Sequence, residues 1–167
     1  MFFEAFLCPC CKKAGFLILN GLIRGFTESS SSIRNSRGHY IICSARRKGG
    51  HGCGKSFPVF LSAVIKYHSI STESLWQFLG NISSKMSSIA AFRAVLHSYS
   101  DRTIHRFRSR LRKCQVIIRT NLLTLCSVPQ CTNTDPLIQT ITHLRAAFAS
   151  SPDPVASYQF TFMTPLF

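Results

Sequence analysis

Acidic residues are scarce in this chain. Six Asp and Glu stand against twenty Lys and Arg in 167 residues, for a formal charge of +14. The six are scattered: Glu4, Glu28, Glu73, Asp101, Asp135 and Asp153. The last two, Asp135 and Asp153, both stand in Asp-Pro pairs. So few carboxylates cannot neutralise the basic side chains within the chain. The surplus therefore favours a polyanionic partner: DNA, RNA or an anionic surface. Long apolar runs are lacking too, and none approaches the ~20 residues needed to span a bilayer. The opening "MFFEAFLCPC" carries no positive charge after the initiator and meets a cysteine at position 8, unlike a secretory signal. These absences point to a cytoplasmic protein with reduced thiols and no membrane partner. In that setting clustered cysteines read as metal ligands before disulfides.

What is present supports a packed core, since 46% of the residues are hydrophobic. Composition divides the chain at 1–62, 63–125 and 126–167. In the first part "GFLILNGLI", "HYIIC" and "KSFPVFLS" have strand character, with Pro58 pushing the last to an edge or to its end. Between the first two lies "TESSSSIRNSRG" (27–38), whose serine-rich composition predicts a polar loop. From 63 to 125 Gly80 is the single glycine, and apolar residues take helical spacing. Thr72 is the expected N-cap of a helix burying Leu75, Phe78, Leu79 and Ile82. A second helix offers Ile89, Phe92, Val95 and Leu96. Ser100 then caps a helix of about 25 residues, in which Ile104, Phe107, Leu111, Cys114, Ile118, Leu122 and Leu125 recur at steps of three and four. A last helix spans 135–150, and the proline-bounded aromatic end is expected to lie extended.

Five of the eight cysteines fall in the first part. A structural zinc takes four Cys or His ligands, usually as two pairs. Cys8 and Cys11 form a C-x-x-C, in which two intervening residues let the chain turn so that both sulfurs converge. The second pair is Cys43, ending a strand, and Cys53, followed by Gly54. Nine residues separate them, "SARRKGGHG", longer than usual. Cys10 is an alternative to Cys8 or Cys11, and His51 to Cys53. A redox use of the C-x-x-C would need a strand before it and a helix after it, and a strand-like run follows instead. Cys114 sits on an apolar helix face as a small hydrophobe. Cys126 and Cys131 have no visible partner pair. The order of strands and cysteine turns is that of a zinc ribbon, so the expected fold is α+β: a small antiparallel sheet, then a helical helix-turn-helix domain. Zn2+ is the expected cofactor, and no catalysis is expected.

Residues 87–113 read as that helix-turn-helix. The second helix carries Arg102, Thr103, His105, Arg106, Arg108, Arg110, Arg112 and Lys113. Its first turn would bring Arg102, Thr103 and Arg106 nearest the bases, with the later cations on phosphates. The loop after Cys43 adds Arg46, Arg47 and Lys48. Duplex DNA is the expected partner, with RNA or a protein assembly as alternatives. The apolar stripe of the long helix exceeds what one helix pair needs, which leaves a homodimer or protein partner open there or at the C-terminal tail.

The stretches "CPCC", "HYIIC" and "GCGKSFPVFLS", followed by "AAFRAVLHSYSDRTIHRFRSRLRKCQ", resemble the zinc-ribbon and helix-turn-helix part of insertion-sequence transposases and related stand-alone bacterial proteins. The resemblance covers Cys8 to Leu123 and implies bacterial origin, zinc and duplex DNA binding. Such transposases carry a downstream catalytic domain in which three acidic residues hold two metal ions; with only Asp135 and Asp153 after residue 123, no transposase chemistry is expected from this chain alone.

Overall fold

The computed structural model describes residues 6–14, 16–27, 30–44, 52–96 and 100–167. Among the described residues the chain is α+β, with three strands preceding five helices. It divides into two units, Met1–Leu61 and Ser62–Phe167.

The first unit is a three-stranded antiparallel sheet in the order β1-β2-β3. Its strands are β1 (Leu17–Thr27), β2 (Ser30–Cys43) and β3 (Ser56–Phe60). Pro58 lies on edge strand β3 opposite Tyr40, where a missing N–H does least harm. The serine-rich segment corrects the sequence reading. It was expected to be a loop, yet from Ser30 onward it belongs to β2, pairing Arg34 with Phe26, Asn35 with Gly25 and Ser36 with Arg24. The physical reason is non-local. β1 supplies a continuous row of backbone partners, and register shifts at Leu19/Gly21, Ile23/Arg24 and Phe26/Thr27 absorb the mismatch. Arg37, buried although charged, donates from Nη1 to the Phe26 carbonyl at 2.7 Å and ties the two strands together. The first cysteine turn is flanked by a single antiparallel bridge between Leu7 and Ala14.

Little of this unit is enclosed. Its core cluster is Leu17 and Ile41 with Cys8 and Cys43, flanked by the partly buried Cys11, Phe16 and Phe57. Half of that cluster is sulfur, an arrangement in which apolar burial alone does little.

The second unit packs α1 (Thr72–Ser83), α2 (Ser88–Arg93), α3 (Asp101–Leu122), α4 (Pro136–Ala147) and α5 (Pro154–Phe162) around one core. Ser71, not Thr72, caps α1, accepting from the Ser74 N–H at 3.1 Å. Thr72 is fully buried and donates its hydroxyl to Asp153 at 2.5 Å. α2 is shorter than its periodicity suggested, and Ile89 is exposed while Phe92 and Leu96 are buried. Ser100 holds the N-cap position of α3 without a side-chain bond to its backbone. Its hydroxyl meets that of Thr103 at 3.4 Å. The turn before it, residues 97–99, lies outside the described residues.

Asp135 and Asp153 cap α4 and α5, each followed by proline in the first helical turn, where the lost N–H costs nothing. The second of these overturns the expected extended tail: "PVASYQFTF" is helical. The cap starts it, and burial of Val155, Tyr158 and Gln159 holds it. Tyr158 accepts from Asn121 of α3 at 2.8 Å. Gln159 donates to the Ser62 and Val64 carbonyls and accepts from the Leu166 N–H, joining the two ends of the unit. α3 buries Ile104, Phe107, Leu111, Ile118 and Leu122. Phe107 sits 5.5 Å from the Phe167 ring, so the chain end packs against the first half of α3.

Candidate functional site

Among the described residues one group of potential metal ligands stands out. The sulfurs of Cys8, Cys11, Cys43 and Cys53 all lie within 4.8 Å of one another. The closest pairs run between the two turns: Cys8 with Cys53 and Cys11 with Cys43, both at 3.7 Å. No disulfide involves them, since all eight cysteines are free. A tetrahedron of sulfurs about 2.3 Å from a central zinc has edges of about 3.8 Å. The two shortest separations match that edge. Four thiols are therefore placed where they could hold a metal ion.

The local chain shows why. In the first turn the Lys12 N–H donates to the Cys8 carbonyl at 2.8 Å, and the Cys8 N–H to the Lys13 carbonyl at 2.9 Å. The Cys10 N–H points at the Cys8 sulfur at 3.4 Å. The second turn repeats the pattern. Gly54 N–H donates to the Cys43 carbonyl at 2.8 Å, Cys43 N–H to the Lys55 carbonyl at 3.0 Å, and Cys53 N–H to the Cys43 sulfur at 3.4 Å. The residue after the second cysteine has positive φ in both, Lys12 at 61° and Gly54 at 72°. Glycine carries that conformation without penalty, whereas lysine does not.

These equivalences resolve the long gap. The second turn has nine residues between its cysteines where the first has two. Both ends nevertheless close on the same two backbone hydrogen bonds, with the N–H to sulfur bond offset by one residue, so the excess is an insertion within one turn. Its base is pinched. A Cβ on Gly52 would stand 2.4 Å from the Ser44 carbonyl oxygen, a contact only glycine avoids. Arg46, Arg47, Lys48 and the alternative ligand His51 lie in the insertion, outside the described residues.

The thiols are not equivalent. Cys8 and Cys43 are closed off from solvent, Cys11 is half-buried and Cys53 exposed. Cys8 is lowered to about 6, chiefly by the Cys11 backbone N–H, with burial opposing. Burial pushes Cys43 up to about 12. One ligand position is thus ready to take a cation as a thiolate, while another must give up its proton to do so. Cys10 is exposed and its sulfur stands outside the group. Cys114, Cys126 and Cys131 are also outside it. Cys114 packs against the core of the second unit.

The second feature is α3. Arg102, His105, Arg106, Arg112 and Lys113 are exposed, with Thr103 and Arg108 half-buried. The described carboxylates are spent elsewhere: Asp135 and Asp153 on helix caps, and Glu73 in the first turn of α1. Arg110 differs from its neighbours. Its guanidinium meets His68, whose ring lies 4.7 Å from Phe107. Arg119, further along, donates to Gln139 at 3.2 Å. Sequence spacing carried no sign of the His68 partner, which is 42 positions away.

Among the described residues no helix is long and apolar enough to cross a membrane. Comparison of the chain with protein-family models, with characterised proteins and with solved structures gives no match.

Proposed function

We propose that this protein is a zinc-stabilised binder of duplex DNA, without a catalytic site of its own. In this reading the cysteine group holds a structural Zn2+ and the first unit is a zinc ribbon. α2 and α3 serve as a helix-turn-helix, as in the DNA-binding part of insertion-sequence transposases, which would make the protein a bacterial regulator or accessory factor.

The observation that carries the reading is α3: a 22-residue helix whose exposed Arg102, Arg106, Arg112 and Lys113 have no carboxylate partner among the described residues. Cations left uncompensated along one rigid element match the regular negative charge of a nucleic acid backbone. Four thiolates with no carboxylate in their group among the described residues suit a borderline-soft, tetrahedral ion such as zinc and do not suit magnesium or calcium.

The test is titration of fluorescent duplex DNA with zinc-loaded protein at increasing salt. Binding at low salt that weakens linearly in log K against log salt is expected. Absence of duplex binding at low salt refutes the proposal.

A second reading, a zinc-stabilised module for protein or RNA contacts, is favoured by one feature. Leu22, Phe26 and Tyr40 are each more than 40% exposed on a sheet with little enclosed core. Preference for single-stranded RNA over duplex DNA in direct competition would select it.

A further inference from the structure

α3 presents its cations in two stripes. Arg102, Arg106, Ser109 and Lys113 recur at steps of four, three and four, and so share one face. His105, Arg108 and Arg112 recur at three and four on the adjoining face. Along their boundary runs a shallow groove of about 310 Å³ lined by His105, Arg108, Ser109, Arg112 and Lys113. Every lining residue offers a hydrogen-bond donor, three are fixed cations, and none is a carboxylate. Arg108 contributes an orphan: its Nε is closed off from solvent and meets no acceptor. A buried donor left unpaired is unfavourable, so this guanidinium gains from any rearrangement that brings its Nε to an acceptor.

We propose that this groove seats one phosphodiester group of the DNA backbone, held by Arg108 and Arg112 with Ser109 and Lys113 beside them. The neighbouring stripe, led by Arg102 and Arg106, is left to face the base edges. This division of labour rests on the DNA reading above. Arginine's planar fork suits the phosphate oxygens, and a shallow, open seat suits a phosphate that belongs to a long strand. Arg110 takes no part, because His68 holds it on the other flank. From Arg102 to Lys113 the helix rises about 17 Å, or about five base pairs at 3.4 Å each. Beyond Lys113 the same stripe first presents Val116, 75% exposed, so its run of cations ends at Lys113.

The experiment compares Arg112→Gln, Arg108→Gln and Arg106→Gln in the full zinc-loaded protein, with far-UV circular dichroism as the check on folding. Binding is measured on several duplex sequences across a salt series. Arg112→Gln is expected to weaken all duplexes by the same factor, roughly tenfold, and to lower the salt slope by about 0.9, the loss of one phosphate contact. Arg106→Gln is expected to change the ranking of sequences. Arg112 is exposed, so its variant keeps the test open if Arg108→Gln does not fold. An unchanged salt slope in Arg112→Gln, or a changed ranking with it, overturns the seat. If the wild-type protein binds no duplex, the DNA reading fails on its own, and the seat is judged by titrating pyrophosphate while observing the arginine Nε–H resonances by NMR. A shift confined to Arg108 and Arg112 supports it, and none at millimolar pyrophosphate overturns it.

Discussion

If the four cysteines hold zinc as proposed, removing it should unfold the sheet and spare the helices. Among the described residues of the first unit, Leu17 and Ile41 are the only buried hydrophobic side chains apart from cysteine. Burial of two such side chains is worth about 3–6 kcal/mol in total. A structural zinc contributes about 10–16 kcal/mol of apparent folding free energy in small zinc domains at neutral pH. Such an ion would outweigh the apolar core of this unit by a factor of roughly two to five. The second unit has a separate core of twenty buried residues, from Ile65 to Leu166, with no part in the cysteine group. Hydrogen exchange followed by mass spectrometry, with and without a strong chelator, separates the two. Amides of Leu17–Thr27 and Ser30–Cys43 should lose protection on chelation, while those of α1, α3 and α4 keep theirs. Persistent protection of β1 and β2 in metal-free protein would refute the reasoning, because the sheet would then be held by something other than its four sulfurs.

Other outcomes follow from the same geometry. Deleting residues 45–51 shortens the second turn to the two-residue spacing of the first, so metal stoichiometry by mass spectrometry should be unchanged. Loss of the ion would show that the two turns are not equivalent. Cys10→Ser should leave metal binding intact, whereas Cys43→Ser should abolish it, as read by competition with a chelating dye. Metal affinity should rise at least roughly tenfold per pH unit between pH 6 and 9, because Cys43, raised to about 12, must lose its proton to bind. In the metal-free protein the two shifts have opposite signs. Cys8 is lowered from 9.0 to about 6, so its contribution to stability is complete above 9 and is lost as pH falls through 6. That of Cys43, raised from 9.0, is complete below 9 and is lost as pH rises towards 12. In the second unit, Tyr158→Phe removes the acceptor of Asn121 and should lower stability by about 1–2 kcal/mol in urea unfolding, without touching metal content.

Several features were legible because their causes are local. The Asp-Pro pair at 135 starts a helix, since a cap needs only its own next three residues. The steps of three and four in α3 mark its buried face, because helical geometry converts spacing directly into direction. Cys8 and Cys11 converge because two residues between them make one turn. The scarcity of carboxylates is likewise a property of composition, and it leaves the arginines of α3 without carboxylate partners among the described residues wherever the chain folds. What tertiary structure alone decided is non-local. The serine-rich segment becomes part of β2 because β1 lies beside it to pair with, something its own residues do not encode. α5 forms at the aromatic end because the core accepts Val155 and Tyr158. Arg110 is drawn away from its neighbours by a histidine that sequence places 42 positions off. The nine residues between Cys43 and Cys53 close on the same four-sulfur cluster because the backbone bonds at both ends of the second turn match those of the first. That closure depends on atoms brought together across the sheet, and spacing along the chain cannot express it.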